Sequence, residues 1–179
     1  IMQNLESQEM IQTIRNSANL DPLTKVYNRR FLYEKADELF SRKATRSNVI
    51  VSMIDADNFK GVNDTYGHKT GDVLLQEFSA LMKDYFPDDL IVRYGGEEFT
   101  VVSVRPPKVY LSALSAFMDA VRTTQFTNHK FNITCSIGVC AEEHPSLESQ
   151  LEVADARLYN AKRAGRDQIM LRDTEQQAS

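Results

Sequence analysis

The sequence predicts an α/β fold in which helices flank a mixed central β-sheet. The run 49–54 is apolar enough for a strand that is buried on both faces. Further along, a Gly95-Gly96 step separates two more apolar runs, 90–94 and 99–104, which is typical of a β-hairpin. Because segments of helical periodicity alternate with these strands, the hairpin lies within a layered sheet with helices packed on it.

The other elements follow from hydrophobic spacing. Apolar residues recur at helical intervals in 28–42, 72–85, 111–121 and 147–164, and further strands are predicted at 131–139 and 168–171. Residues 1–19 carry sparse apolar positions at helical spacing, and Pro22 ends that segment because the residue before proline avoids the α region. This first segment is either the end of a signalling helix from a sensor or a frayed leader.

Composition limits the classes of protein. At 179 residues the chain accommodates one domain, predicted at 20–172, with an N-terminal helix or linker at 1–19 and a polar tail at 173–179. A net charge of −4 argues against nucleic-acid binding, and no run is long and apolar enough for a membrane span or signal peptide. Cys135 and Cys140 point to opposite faces of one strand, so we expect two reduced thiols. Since the chain begins with Ile1, we expect a piece of a longer protein.

An acidic pair, Glu97 and Glu98, follows the two glycines. Adjacent carboxylates repel each other, so their expected partner is a cation, and we expect the glycines to adopt a positive φ and admit a bulky anion. Asp55 directly follows the buried strand and meets both glutamates if that strand lies beside the hairpin. Three oxygen donors favour Mg²⁺ or Mn²⁺. The alternative is a solvated surface cluster.

Several ordered blocks resemble the GGDEF family of diguanylate cyclases, in its Gly-Gly-Glu-Glu-Phe variant. The blocks are 20–24, 27–30, 54–60, 63–68, 71–72, 93–99, 136–139 and 154–166, in register over roughly 20 to 171. The resemblance implies a palm-like nucleotide-cyclase fold and the condensation of two GTP into cyclic di-GMP with release of pyrophosphate. It also implies a transient homodimer, an upstream sensor domain in the full-length protein and a cytoplasmic location.

The resemblance also implies roles for residues near the acidic pair. Asp55, the backbone carbonyl of Ala56, Glu97 and Glu98 would hold Mg²⁺ or Mn²⁺. Glu97 would help deprotonate the attacking 3′-hydroxyl, and Lys60 would stabilise the charge of the transition state.

GTP binding is implied for a larger set: Phe59, Lys60, Asn63, His68, Asp72, Lys162 and Arg166. Within it, Asn63 and Asp72 would read guanine, because a carboxylate accepts hydrogen bonds from the N1 and N2 hydrogens of that base. The chain has no P-loop motif. The alternatives are that Asn63 and Asp72 cap helices, that Gly67-His68 is a turn, and that Lys162 and Arg166 complement a helix dipole.

Three positions depart from the family pattern: Lys25 replaces a usual glycine, Asn58 a usual aromatic or histidine, and Asp167 a usual asparagine. We expect Asp167 to weaken phosphate binding by the neighbouring Arg166.

The family's product-binding Arg-x-x-Asp motif is also altered, since Phe86 stands in place of the arginine while Asp89 remains. We therefore expect no allosteric product site. Two rival functions are a catalytically silent receptor for GTP or cyclic di-GMP and an interaction domain that keeps only the fold. The intact acidic pair argues against the silent receptor.

Overall fold

The computed structural model of the protein describes residues 2–41 and 48–173, without the side chains of 2–4 and 12–16. The helices are α1 (Met2–Asn19), α2 (Arg29–Ser41), α3 (Phe59–Tyr66), α4 (His68–Tyr85), α5 (Pro107–Thr123) and α6 (Leu147–Arg163). The strands are β1 (Tyr27–Asn28), β2 (Ile50–Ala56), β3 (Leu90–Arg93), β4 (Glu98–Ser103), β5 (Cys135–Cys140) and β6 (Ile169–Met170).

These strands form one six-stranded sheet in the order β1-β3-β4-β2-β5-β6. The two edge strands pair in parallel, β1 with β3 and β6 with β5, whereas the inner pairs are antiparallel. Every residue of β2 is buried, as its apolar run predicts for a central strand. The predicted mixed sheet with flanking helices is therefore confirmed.

A hydrophobic cluster covers each face of the sheet. One contains Phe78, Phe99 and Phe117, with residues from α3, α4 and α5, and the other contains Leu32 and Leu158 from α2 and α6. Cys135 belongs to the first cluster and Cys140 to the second, and both are free and buried. The expectation of two unpaired thiols on opposite faces is confirmed.

Helix α6 lies unusually close to β5 because of one glycine. A Cβ atom at Gly138 would lie 2.1 Å from the carbonyl oxygen of Ala154 and 2.2 Å from the backbone nitrogen of Leu158. Any side chain there would push the helix off the sheet. The glycine thus sets the distance between α6 and the sheet, and with it the position of the last turn of α6 beside the end of β2.

Most predicted elements are present with ends shifted by a few residues, but two were missed. Helix α3 buries only Phe59 and Val62, which is too few positions to produce a periodic pattern, and β1 has only two residues. Position 42 of the predicted helix 28–42 and positions 174–179 of the predicted tail lie outside the described residues.

One predicted strand begins later than expected. Residues 131–134 are not part of β5, because Phe131 instead exchanges backbone hydrogen bonds with Phe126 at 2.8 and 3.2 Å and closes a short loop. Across 2–41 and 48–173, no helix combines the length and apolarity of a bilayer span.

Candidate active site

The site is built where β2 ends beside the hairpin of β3 and β4. Asp55 in β2 lies directly opposite Glu98, the first residue of β4. The hairpin closes through hydrogen bonds from the backbone N–H groups of Tyr94 and Gly95 to the carbonyl of Glu98, at 2.8 and 3.2 Å. The juxtaposition of Asp55 with the acidic pair is confirmed.

An arginine holds the hairpin tip in place. Arg93 donates from Nε and Nη2 to the carbonyl of Gly96, at 3.1 and 2.7 Å, and from Nη1 to the carboxylate of Asp21. The expected positive φ at the glycine pair is wrong, because neither Gly95 nor Gly96 adopts it. Since a Cβ at Gly96 would meet no atom within 4 Å, the tip remains open to a bulky ligand.

The carboxylate of Asp55 is buried but only half satisfied. Its Oδ2 accepts a hydrogen bond from Lys162 Nζ, whereas its Oδ1 is buried and has no hydrogen-bond partner. Burial raises the pKa of Asp55 to about 6, although Lys162 acts in the opposite direction, and the charges of Glu97 and Glu98 add to the rise. The solvated-cluster alternative is therefore wrong for Asp55.

Lys162 reaches this carboxylate from the last turn of α6. Burial by itself would lower the pKa of Lys162, but the hydrogen bond and charge of Asp55, with the charges of Glu98 and Glu97, produce a net rise. The lysine therefore stays protonated and partly neutralises the acidic cluster. Its position near the C-terminus of α6 also agrees with the helix-dipole alternative.

The donors at the end of β2 fit a hard divalent cation. A buried carboxylate oxygen without a partner needs a cation or a donor, and the cross-strand Glu98 adds a second carboxylate. Glu97, half-buried at the tip, and Ala56, the last residue of β2, are the adjacent candidates. Oxygen ligands alone suit Mg²⁺ or Mn²⁺ better than softer metals.

The N-terminus of α3 forms a second part of the site. Asn58 precedes the helix in the left-handed conformation, with φ of 58°, and its side chain makes no capping hydrogen bond. The first N–H groups of a helix have no intrahelical partner and attract anions. Phe59 buries its ring, so only its backbone is available to a ligand, whereas Lys60 is exposed.

A cavity of about 560 Å³ continues from this helix N-terminus, and its lining includes Asn58, Gly61 and Arg166. Arg166 follows α6 in the left-handed conformation, with φ of 63°, and is exposed. The two cations predicted from the last helix are thus separated in the structure: Lys162 contacts the acidic cluster, and Arg166 lines the cavity.

Sequence reasoning missed the role of Asp57, which organises this region. Its buried carboxylate accepts hydrogen bonds from Thr134 Oγ1 at 2.6 Å, Ser136 Oγ at 2.7 Å and the backbone N–H of Asp167 at 3.1 Å. It therefore ties the end of β2 to the turn that carries Arg166. The only signal in the sequence was a second aspartate two residues after Asp55, whose partners are remote along the chain.

The carboxylate of Asp167 also has a partner that the sequence did not indicate. Arg122 donates from Nε to Asp167 at 2.8 Å. The negative charge beside Arg166 is therefore shared with a second guanidinium, which opposes the predicted weakening of phosphate binding.

The predicted guanine-reading residues lie where α3 and α4 touch. Asn63 is in the middle of α3, and its buried Oδ1 has no hydrogen-bond partner; a Cβ at Gly71 would lie 1.9 Å from that oxygen. Asp72 follows Gly71 and is exposed, and His68 lies one turn earlier on the same side of α4.

The cap alternative for these residues is wrong, because α3 and α4 begin after Asn58 and Gly67. The turn alternative holds for Gly67, which has a φ of 90° and separates α3 from α4. His68 is the first residue of α4.

The altered product-binding motif is packed into the core. Phe86 is buried, with ring centroids 5.9 Å from Tyr110 and 5.4 Å from Phe117. Asp89 accepts hydrogen bonds on both oxygens from Arg105, one of them from Nε at 3.0 Å. The aspartate that the motif retains is therefore engaged within the domain.

Comparison with known proteins identifies the family of the chain. The chain matches the family model described as diguanylate cyclase, GGDEF domain, over residues 18–168. Diguanylate cyclase DgcP of Pseudomonas aeruginosa is 36% identical over 164 residues, which cover 87% of this chain and 24% of that protein. Diguanylate cyclase DosC of Escherichia coli is 34% identical over 168 residues, covering 88% and 36%. The chain thus spans about a quarter to a third of these curated relatives.

Solved structures share the fold. The coiled coil and GGDEF domain of DgcB from Caulobacter crescentus, in complex with c-di-GMP, superposes with a TM-score of 0.84 at 28% identity, covering 94% of this chain and 93% of that one. The diguanylate cyclase SiaD of Pseudomonas aeruginosa, in complex with its activator SiaC, gives 0.82 at 32% identity, covering 94% and 67%. With its palm-like α/β sheet and a family match over most of its length, this chain belongs to the GGDEF-domain family of diguanylate cyclases.

Proposed function

We propose that this domain is a metal-dependent diguanylate cyclase, which condenses two GTP into cyclic di-GMP across a two-fold dimer. The observation that supports this most strongly is the buried, unpartnered Oδ1 of Asp55 opposite Glu98. A buried charged oxygen without a partner destabilises the free protein, so it is retained where a ligand will satisfy it. Family membership specifies which ligand chemistry to test.

The reaction forms a bond between a ribose 3′-oxygen and the α-phosphorus of the second GTP, while the bond from that phosphorus to pyrophosphate breaks. The 3′-hydroxyl proton passes to the carboxylate of Glu97. A divalent cation held by Asp55, the carbonyl of Ala56, Glu97 and Glu98 would neutralise phosphate charge and acidify the attacking hydroxyl. Pyrophosphate leaves with the electron pair of the broken bond.

The chain's own cations stabilise the charge that develops on the phosphates. Lys60, in the first turn of α3, and the free N–H groups around Phe59 meet the triphosphate at the helix N-terminus. Arg166, which lines the adjoining cavity, is the second cation within reach of the phosphates. A cation held by Asp55 would compete with Lys162 for the same carboxylate and would free the lysine ammonium group to contact phosphate.

Asn63 and Asp72, where α3 and α4 touch, select guanine, with His68 one turn earlier on α4. The side-chain amide of Asn63 adds a hydrogen bond to the base, and the exposed carboxylate of Asp72 accepts the N1 and N2 hydrogens. Adenine offers no hydrogen at N1, so it leaves this carboxylate unpaired.

Each domain supplies one nucleotide site, but the cyclic product contains two phosphodiester bonds. Two domains must therefore face each other so that each GTP attacks the other, which a transient two-fold homodimer achieves. In the full-length protein, an upstream sensor domain would control this encounter. Because GTP is an intracellular nucleotide, the proposal places the domain in the cytoplasm.

The decisive experiment is turnover by chains held together as dimers through a fused coiled coil. With GTP and Mg²⁺ we expect cyclic di-GMP, identified by mass, and release of pyrophosphate. Glu98→Gln should reduce the rate at least about a hundredfold, since it removes a charged metal ligand. Glu34→Gln, an exposed substitution on α2, is the matched control and should leave the rate unchanged.

Two outcomes would contradict the proposal. GTP binding without metal-dependent pyrophosphate release would identify a silent receptor, and absence of both binding and turnover would leave only an interaction domain. Circular dichroism of Glu98→Gln separates loss of activity from loss of fold.

A further inference from the structure

A second group of possible metal ligands lies away from the acidic site. The Cys-Glu-His cluster consists of Cys140, Glu142 and His144, and one ligand atom from each lies within 4.8 Å of the others. Cys140 ends β5 and pairs with Val51 at the start of β2, whereas Asp55 pairs with Ser136. At about 3.3 Å per residue, the cluster is about 13 Å further along β5 than the acidic site.

The three possible ligands of the cluster come from one short stretch of chain. Its residues stand two positions apart in the segment that leaves β5, and their ligand atoms converge although the chain bends at Glu142. The sulfur of Cys140 lies 3.7 Å from Glu142 Oε2. Sulfur and oxygen ligands about 2.3 and 2.1 Å from a tetrahedral Zn²⁺ would be about 3.6 Å apart, so this pair already has the required separation.

A buried arginine orients the carboxylate of Glu142. Arg157, whose side chain is 6% exposed, donates from Nη1 to Glu142 Oε1 at 2.8 Å and to the carbonyl of Val139 at 2.7 Å. Oε1 is thereby occupied, and Oε2 is the oxygen that faces Cys140. Such outer hydrogen bonds are what fixes ligands in metal sites.

The imidazole of His144 is fixed in a similar way. Its Nδ1 lies 3.1 Å from Ser149 Oγ, and that hydroxyl donates its single hydrogen to the carbonyl of Ser146 at 3.2 Å. With Ser149 accepting, Nδ1 carries the proton, and Nε2 keeps a lone pair that can bind a metal. A ligating histidine typically gives its other N–H to an oxygen in this manner.

We propose that the Cys-Glu-His cluster binds a transition-metal dication of the Zn²⁺ class. Sulfur, nitrogen and carboxylate oxygen together match Zn²⁺, whereas Mg²⁺ requires oxygen ligands. Three protein ligands leave one coordination position for water or an added anion. Bound metal would fix the loop between β5 and α6, the helix that carries Lys162 at its other end.

Cobalt provides the test, because a thiolate bound to Co²⁺ gives an intense charge-transfer band in the near ultraviolet. The whole chain is titrated with Co²⁺ in excess Mg²⁺, which occupies the all-oxygen site. We expect the band to saturate at one Co²⁺ per chain and to disappear when one equivalent of Zn²⁺ is added.

Matched variants assign the ligands. Cys140→Ser should abolish the band, whereas Cys135→Ser, in the same strand but on the opposite face, should preserve it. His144→Gln should lower Co²⁺ affinity more than about tenfold, and Ser149→Ala about tenfold through loss of its supporting hydrogen bond.

Three results would overturn the proposal: no band with the unaltered chain, a band that survives Cys140→Ser, or a band lost in Cys135→Ser alone. In the first case the thiol only makes its local contacts with Glu142. His144 is half-buried, so its substitution remains informative even if the buried Cys140→Ser variant unfolds.

Discussion

Asp55 and Asp89 are both aspartates with almost fully buried side chains, 4% and 1% exposed, yet the domain treats them differently. Both oxygens of Asp89 accept hydrogen bonds from one arginine, Arg105. Asp55 shares only Oδ2 with Lys162, and its Oδ1 has no partner. Folding thus satisfies one buried carboxylate completely and leaves the other incomplete.

The difference separates a structural carboxylate from one available to a ligand. If one residue of a buried ion pair is removed, the remaining charge is left without compensation. A buried carboxylate with an unpaired oxygen, in contrast, destabilises the domain until a ligand binds it. Asp57, two residues beyond Asp55, belongs with Asp89, because three donors surround it. Proximity to the acidic pair is therefore not sufficient to predict a metal ligand.

The largest effect should follow loss of the paired carboxylate. Asp89→Ala removes the carboxylate partner of the partly buried Arg105, so we expect the free energy of unfolding to fall by about 3–5 kcal/mol. Urea denaturation monitored by circular dichroism measures it. Asp88→Ala, at the exposed neighbouring position, should change it by less than about 0.5 kcal/mol. Equal losses of unfolding free energy in the two variants would show that the Asp89–Arg105 ion pair does not stabilise the domain.

The incomplete carboxylate should appear in the pH dependence of stability without metal. Burial raises the pKa of Asp55 to about 6, compared with about 3.9 in an unfolded chain. Between these two pH values the native state binds one proton more than the unfolded state. The stability that this proton contributes is therefore lost as the pH rises from the unfolded to the native pKa. The loss is about 2–3 kcal/mol for a shift of about two pKa units.

Asp55→Asn removes this titration. Its free energy of unfolding, relative to the unaltered domain, should therefore rise between about pH 4 and pH 6 and then stay constant. Mg²⁺ should stabilise only the unaltered domain, and mainly above about pH 6, because the cation needs the ionised carboxylate. A difference independent of pH would contradict the raised pKa.

A smaller effect is expected at the guanine pocket. Asp72→Ala should weaken GTP binding about tenfold and narrow the preference over ATP, because the carboxylate no longer accepts the guanine hydrogens. Fluorescent-nucleotide competition measures both affinities, and Asp84→Ala, also exposed on α4, is the control. Unchanged GTP affinity in Asp72→Ala would remove this residue from the binding site.

The sequence predicted the central strand and the acidic pair because both depend on local patterns. The apolar run before Asp55 and the glycines before Glu97 and Glu98 are visible without tertiary information. The partners of the buried carboxylates were not predictable, since Arg105 lies 16 residues from Asp89 and Thr134 lies 77 residues from Asp57.

Backbone conformation explains another shortfall. Lys25 and Asn58, noted only as departures from the family pattern, both adopt left-handed φ values, 62° and 58°. Glycine accepts that region without a Cβ penalty, whereas lysine does not, which accounts for the usual glycine at the position of Lys25. A single sequence carries no direct signal for such a φ when a non-glycine residue occupies the site.

The smallest effect is expected from the product. Cyclic di-GMP should not change kcat, because we expect it not to bind outside the active site. Phe86 is buried and offers no charge-assisted hydrogen bond to a phosphate, while Asp89 is already bound by Arg105. A cavity of about 400 Å³, lined partly by Lys25 and Lys83, lies beside them.

Product should therefore inhibit by competition at the active site alone. Initial rates measured over a range of GTP concentrations with added cyclic di-GMP should show a raised apparent KM and an unchanged kcat. Lys83→Ala alters the cavity wall without removing the Asp89–Arg105 pair, so it tests the cavity at intact stability and should leave this pattern unaltered. A lowered kcat that high GTP cannot restore, but that Lys83→Ala does restore, would establish an allosteric product site despite the missing arginine.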